Sequence, residues 1–446
     1  MQQTVYAELL DRCVAADFDA AFSEDGAFIP KDIRGRRYWY FQEAGTKKQR
    51  YAGPENAELL ERIFQHRQSR SSERERRSLV STLVRSASLP RPLPAVGNAL
   101  AAMATAGVFR LRAVLVGTVA YQTYSASLGV RLPRGAMETL DVDIAQDRNV
   151  SVAVKDAVSG MLDTLRAADP TFRAVPPKPG AEGVWSYKTG QGDIRVEFLT
   201  PNRGPDSDAL VHLPALDSYA LQLRFLDYLI RDPQPAVVLH GPGILVNVPA
   251  PERYALHKLI VARRRAATSG KANKDLEQAQ SLLSVLVTAR PHELLEAWGE
   301  ARGRGMKWHN LMLEGLGMID RKVRDATLKA LGRPRSDVPG LTIDLTSIKP
   351  SYHPASDTLK VDAVSGRDRI VCVIEGLALT RLSGRAVDPI RNRLAAMQDR
   401  IEVFERHFKL IEAALRKKYL HEAVDSAEII RLTVTDLVND GKKQPR

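Results

Sequence analysis

Three short apolar runs, each closed by a turn signal, fall between residues 113 and 199, and their order limits the fold more than any other feature of the chain. Ala113-Val114-Leu115-Val116 is too short for a helix and reads as a buried strand. Gly117-Thr118 follows at once, and Val119 to Leu128 then shows helical spacing that stops at Gly129. A second strand is expected over Leu140–Ala145 and a helix over Val152–Ala167. Trp185-Ser186-Tyr187-Lys188 and Ile194-Arg195-Val196-Glu197-Phe198-Leu199 flank Gly190-Gln191-Gly192-Asp193, a hairpin signature, and Pro201 ends that strand. Such a succession predicts an α/β (α+β) core with a mixed sheet.

Chemistry enters through the acids. Side chains alternate between the faces of a strand, so Asp141 and Asp143 share one face while Val142 and Ile144 take the other. Paired carboxylates grip hard cations such as Mg2+ or Mn2+. Glu197 sits in an otherwise apolar strand, where an acid needs a reason, and would complete a two-metal site. If Glu197 lies on the opposite sheet face, Asp193 is the next candidate. Gly117 would let the backbone approach a phosphate, and Thr118 opens a helix whose free N–H groups favour a triphosphate. Taken singly, an Asp-x-Asp is common on surface strands and a Gly-Thr is an ordinary helix cap; the order of all three is what carries the reading.

Around this core the chain divides into four expected segments. Residues 1–94 hold a short helix, an aromatic meander (Ala27-Phe28-Ile29, Arg37–Phe41, Gln49-Arg50-Tyr51) and an Arg-rich helix, closed by the stiff Leu89-Pro90-Arg91-Pro92-Leu93-Pro94. Bulky aromatics in so small a sheet usually form its core. Residues 95–250 form the central core, including a hairpin over Pro235–Val248, and residues 251–335 a helical subdomain. After a boundary around Gly332–Gly340, residues 338–446 form an α+β module with strands at Leu341–Leu345, Thr358–Ala363 and Arg369–Ile374 and a helical tail over Pro389–Asp425. No internal repeat is read.

The 446 residues carry a formal charge of +12, which favours anionic partners such as nucleic acid or nucleotides. A solvated basic surface is the plain alternative. Cys13 and Cys372 have no metal-type spacing and imply no disulfide framework. No apolar run approaches the roughly 18–20 residues of a membrane span, so no membrane partner is expected and the cytoplasm is the expected compartment. Arg70, Arg74 and Arg77 in the Arg-rich helix are expected to track a phosphate backbone, with mixed charges on a solvated face as the alternative.

Val116-Gly117-Thr118, Thr139-Leu140-Asp141-Val142-Asp143-Ile144-Ala145 and Val196-Glu197-Phe198-Leu199-Thr200-Pro201 together resemble the polymerase-β-type nucleotidyltransferase superfamily, and within it the bacterial minimal and abortive-infection (toxin-type) proteins. The resemblance covers residues 95–290. It implies that Asp141 and Asp143 bind both metal ions and that Glu197 helps to activate the acceptor hydroxyl. Thr118 stands where Ser is usual in that family, and Glu197 where Asp is commoner. On the helix that carries Tyr254–Arg265, Lys258 and Arg265 lie seven residues apart and share a face. Toxin-type relatives place a Lys and an Arg on such a helix, and a later Lys-Asp (here Lys274-Asp275), around the triphosphate, so Lys258, Arg265 and Lys274 resemble nucleotide ligands. His257 reads as structural. The implied activity is transfer of a nucleoside monophosphate from ATP or another NTP to a hydroxyl, with RNA, including a tRNA end, as the expected acceptor. A protein acceptor, a non-catalytic nucleic-acid-binding role on the same fold, and a toxin or defence role with a protein partner or antitoxin are the alternatives that accompany the resemblance.

Overall fold

The computed structural model describes residues 2–21, 26–33, 35–43, 49–65, 73–154, 156–158, 160–177, 182–191, 193–204, 207, 209–265, 270–333, 350–365, 368–385, 388, 391–421 and 429–438. They fall into two compact units, Met1–His257 and Lys258–Arg446.

The first unit opens with helix α1 (Gln2–Ala21), the meander β1 (Gly26–Ile33), β2 (Arg36–Glu43) and β3 (Gln49–Pro54), and helices α2 (Ala57–Gln65) and α3 (Glu73–Arg85). The meander aromatics pack inward rather than standing out as a stacking platform. Phe28 and Phe41 meet edge-on at 5.0 Å over Phe18 and Leu59 on one face, and Tyr40 meets Tyr51 at 5.5 Å on the other. Tyr6, Leu9 and Cys13 of α1 share a hydrophobic cluster with Val80 and Leu83 of α3 and with Ala126 and Val237 from the central region. The expected N-terminal segment and the expected core therefore lie in one unit.

That central region runs through α4 (Pro94–Thr105), β4 (Val114–Val116), α5 (Gly117–Ser127), β5 (Asp141–Ala145), α6 (Arg148–Ala153), α7 (Met161–Ala168), β6 (Arg173–Ala174), β7 (Ser186–Lys188), β8 (Arg195–Pro201), β9 (Leu210–Leu213), β10 (Ser218–Leu223), α8 (Leu226–Leu229), β11 (Gln234–Val238), β12 (Ile244–Val248) and the start of α9 (Pro251–Arg264). The sheet order is β4-β5-β8-β10-β9, with β6 and β7 attached beside β8. β5, β8 and β10 run parallel, and the remaining pairs are antiparallel. The single helix expected over Val152–Ala167 is corrected to two: α6 ends at Ala153 with Val154 at its C-cap, and α7 begins only after Gly160, its N-cap, at a left-handed φ of +70°.

In the second unit α9 ends and α10 (Gly270–Ala289), α11 (Pro291–Gly303), α12 (Met306–Leu316) and α13 (Arg321–Ala330) follow. Then come β13 (Ser351–His353), β14 (Thr358–Ser365), β15 (Asp368–Glu375), α14 (Gly376–Ser383), α15 (Arg393–Arg406), α16 (Phe408–His421), β16 (Ile429–Leu432) and α17 (Val434–Val438), with sheet order β13-β14-β15-β16. The expected strand Leu341–Leu345 and the boundary at 334–340 lie outside the described residues. A local motif recurs that the sequence reading missed. Pro214-Ala215-Leu216-Asp217-Ser218 and Pro354-Ala355-Ser356-Asp357-Thr358 each make a tight turn between antiparallel strands, with the Asp left-handed at φ +46° and +42°.

Asp357 also anchors the sheet of its unit. Arg400, 1% exposed, donates to Asp357 through Nε (3.2 Å) and an η nitrogen (2.9 Å) and to Asp399 at 3.2 Å, while the Tyr352 hydroxyl donates to Asp357 at 2.9 Å. Removing one member of a buried, hydrogen-bonded ion pair costs about 3–5 kcal/mol, because the other is left uncompensated. Arg400→Met is therefore expected to speed amide hydrogen exchange across β14 and β15. Unchanged protection there would show that the pair contributes nothing to this sheet.

Candidate active site

The site is built on the junction between β4 and α5. Val114, Leu115 and Val116 are buried, and the chain must then turn sharply into a helix. Gly117 makes that turn with φ +68°, a conformation that glycine adopts without steric cost. Its missing side chain is filled by a neighbour: a Cβ here would stand 2.1 Å from Oδ2 of Asp143. The pairing of Val116 with Asp143 across β4 and β5 brings the two together. From α9, the buried Tyr254 hydroxyl donates to the Gly117 carbonyl at 2.9 Å, its ring stacked on Tyr121 at 6.1 Å. The N-cap position is Val116, whose side chain has no oxygen to offer the first turn of α5. The N–H groups and dipole at a helix start suit an anion. Thr118, half-buried, is the second residue of that turn.

Strand register then gathers the acids. Asp143 pairs with Glu197 across the parallel strands β5 and β8, and Glu197 pairs with Ser186 of β7. One step along, Asp141 pairs with Arg195, which pairs with Lys188. Paired residues project from the same face, so two polar rows lie side by side: Asp143, Glu197 and Ser186, and beside them Asp141, Arg195 and Lys188. Neighbouring strands are about 4.8 Å apart and residues two apart on a strand about 6.6 Å. The opposite face is apolar, with Leu115, Val142, Ile144, Val196, Phe198 and Tyr187 all buried. Glu197 thus shares the face of Asp141, and Asp193 lies outside β8. An Arg195 η nitrogen donates to Glu197 at 3.4 Å. The Oγ of Ser186, 2% exposed, has no hydrogen-bond partner.

Ser186, Lys188 and Arg195 were not among the residues expected at the site. The signal was present in the alternation of Ser186-Tyr187-Lys188 and Arg195-Val196-Glu197, which places them on the face of Glu197 once the hairpin register is known. For a divalent cation the donor chemistry fits, since Asp141 and Asp143 offer hard oxygens from one half-buried face. Among the described residues no group of three or more His, Cys, Asp or Glu is gathered closely enough to hold a metal ion.

The expected phosphate ligands of the second unit are engaged locally. Lys258 Nζ and an Arg265 η nitrogen contact the buried Asp275 at 2.6 and 2.8 Å, and Lys274 is half-buried next to it in sequence. His257 is buried. In the Arg-rich segment Arg70 lies outside the described residues, Arg74 is exposed, and Arg77 pairs with Glu73 at 2.7 Å. A cavity of about 750 Å³ is lined by Gln122 of α5 and by Met137, Glu138, Thr139 and Leu140, which lead into Asp141; the three acids themselves do not line it.

Gly117→Ala tests the junction. Its left-handed backbone costs a side-chain-bearing residue about 1–2 kcal/mol, and the new methyl group must also push the Asp143 carboxylate aside. A lower melting temperature is expected, and a variant as stable as the parent would show that the two groups are not in tight contact.

Residues 94–303, which contain β4, α5, β5 and β8, match the model of a family described as nucleotidyltransferase. No curated protein and no solved structure matches the chain. The fold is the mixed α/β fold of such enzymes, and no helix among the described residues is long and apolar enough to cross a membrane. Through residues 94–303 the chain carries a domain of the nucleotidyltransferase superfamily, and it is a transferase enzyme of that class.

Proposed function

We propose that the chain is a metal-dependent nucleotidyltransferase that moves a nucleoside monophosphate from an NTP to a hydroxyl of RNA. The observation that carries this reading is the shared sheet face of Asp141, Asp143 and Glu197, with the start of α5 beside Asp143. Asp141 and Asp143 would hold Mg2+ or Mn2+, which supplies charge neutralisation for the triphosphate. The first-turn N–H groups of α5 and the Thr118 hydroxyl receive phosphate oxygens. Glu197, positioned by Arg195 at 3.4 Å, takes the proton of the acceptor hydroxyl. The acceptor oxygen bonds to the α-phosphorus, the bond from that phosphorus to the bridging oxygen breaks, and pyrophosphate leaves. Lys188 and Arg195 add positive charge on the same face as the negative charge develops. The charge of +12 supports a polyanionic acceptor.

The test is incubation with each α-labelled NTP, Mg2+ or Mn2+, total RNA and cell lysate. Label in RNA is expected. Label in protein alone would replace the acceptor and favour a protein-modifying enzyme, and no label under any condition would sink the activity. Asp143→Asn is expected to lower labelling by about 10²–10³-fold or more. It should leave melting unchanged or raised, because clustered carboxylates repel one another. Wild-type labelling by this variant would end the role given to Asp143.

A further inference from the structure

Beside the segment that leads into β4, at the end of that strand away from Gly117, lie two adjoining cavities of about 520 and 550 Å³. They share Asp17, Ala104, Arg110 and Leu245. Arg62 and Arg112 join the wall of the first, Arg76 and Arg77 that of the second. Two of these guanidinium groups are answered at home: Arg62 by Glu58 and Arg77 by Glu73, each one helical turn earlier. Arg76, Arg110 and Arg112 meet only weaker partners: an Arg76 η nitrogen lies 4.0 Å from the Cys13 Sγ, Arg112 reaches the Tyr51 hydroxyl, and Arg110 acts on Asp17 at longer range. Among the described residues no carboxylate stands within ion-pairing distance of any of the three. The Nε–H groups of Arg76 and Arg110 are buried and have no hydrogen-bond partner.

An unanswered N–H on a buried neutral group already costs about 1–3 kcal/mol, and a charged group costs more. Arg76 and Arg110 are half-buried, so it is their Nε–H groups alone that are shut away from water, and two such N–H groups on connected cavity walls suit an anion. The guanidinium of Arg110 is also held in place: it lies across Gly107, where a Cβ would meet an η nitrogen at 2.5 Å. Burial raises the pKa of Asp17, the carboxylate common to both cavities, against the pull of Arg110 and Arg62. Asp17 and, in the first cavity, Asp232 are the acids in these walls, against five arginines. Arginine forks match phosphate geometry. Two cationic lobes joined at one arginine suit more than one phosphate, and Phe18, Tyr51 and Phe109 give the first lobe an apolar wall.

We propose that these two cavities bind consecutive phosphates of a single-stranded nucleic acid, with Arg110 between them. None of Asp141, Asp143 and Glu197 lines either cavity, so the proposal extends the reading of an RNA acceptor without leaning on transfer chemistry.

The test is fluorescence anisotropy of a 5′-labelled oligoribonucleotide across a salt series, with wild type, Arg76→Gln, Arg110→Gln and Asp143→Asn. Arg76→Gln and Arg110→Gln are each expected to weaken binding about tenfold and to reduce the salt slope by about 0.7 per lost phosphate contact. Asp143→Asn should bind as wild type, whether or not it transfers nucleotides. Where Arg110→Gln fails to give a cooperative melt, Arg76→Gln and Arg112→Gln carry the measurement. Equal affinity and slope in the arginine variants and wild type would overturn the proposal. So would loss of binding in Asp143→Asn alone, which would put the strand at the carboxylates instead. Inorganic phosphate competing as well as the oligonucleotide would overturn the claim of consecutive phosphates.

Discussion

The contact between the Asp143 carboxylate and the bare Cα of Gly117 joins a strand end, a helix start and the sheet face that carries the acids. Each part depends on it. The left-handed glycine lets α5 begin directly after β4, and its lack of a side chain leaves room for a carboxylate that would otherwise collide. Tyr254 secures the same peptide from the other side through the Gly117 carbonyl. The pairing of Asp143 with Glu197 then extends the arrangement into the third acid. A cluster of like charges gains little stability by itself, so its position has to be imposed by neutral contacts of this kind.

Much of this was legible before any coordinates. Alternation along Asp141-Val142-Asp143 and the apolar neighbours of Glu197 report which side chains share a face, because the strand period is 2. Register between strands is not local information. That is why Ser186, Lys188 and Arg195 escaped notice although each sits in a row with an expected acid. The break between α6 and α7 was hidden because the apolar spacing of Val152–Ala167 is compatible with one continuous helix, and the helix end at Ala153 carries no glycine or proline to mark it. β9 and β10 were not expected either: the tight turn at Pro214–Asp217 that lets the chain reverse within a sheet rests on the left-handed Asp217, which the residue pattern does not reveal.

Charge is handled in two ways in this protein. Arg400 is met by Asp357 and Asp399, and Lys258 and Arg265 are met by Asp275, so these cations are internally neutralised. Within the arginine-rich segment the same holds for Arg77 and, through Arg12, for the acid Glu75. The net charge of the chain is thus a poor guide to where an anion binds, since many cations are already answered. What distinguishes Arg76 and Arg110 is a buried and unanswered Nε–H, which no count of basic residues reveals.

The junction at Gly117 also governs how such a site can decay through descent. Any missense change in its codon introduces a Cβ, and that Cβ arrives where Asp143 Oδ2 already lies. Drift at this position has no neutral intermediate. The glycine is thus held by the fold itself, whereas the acids it supports are held only by what they bind.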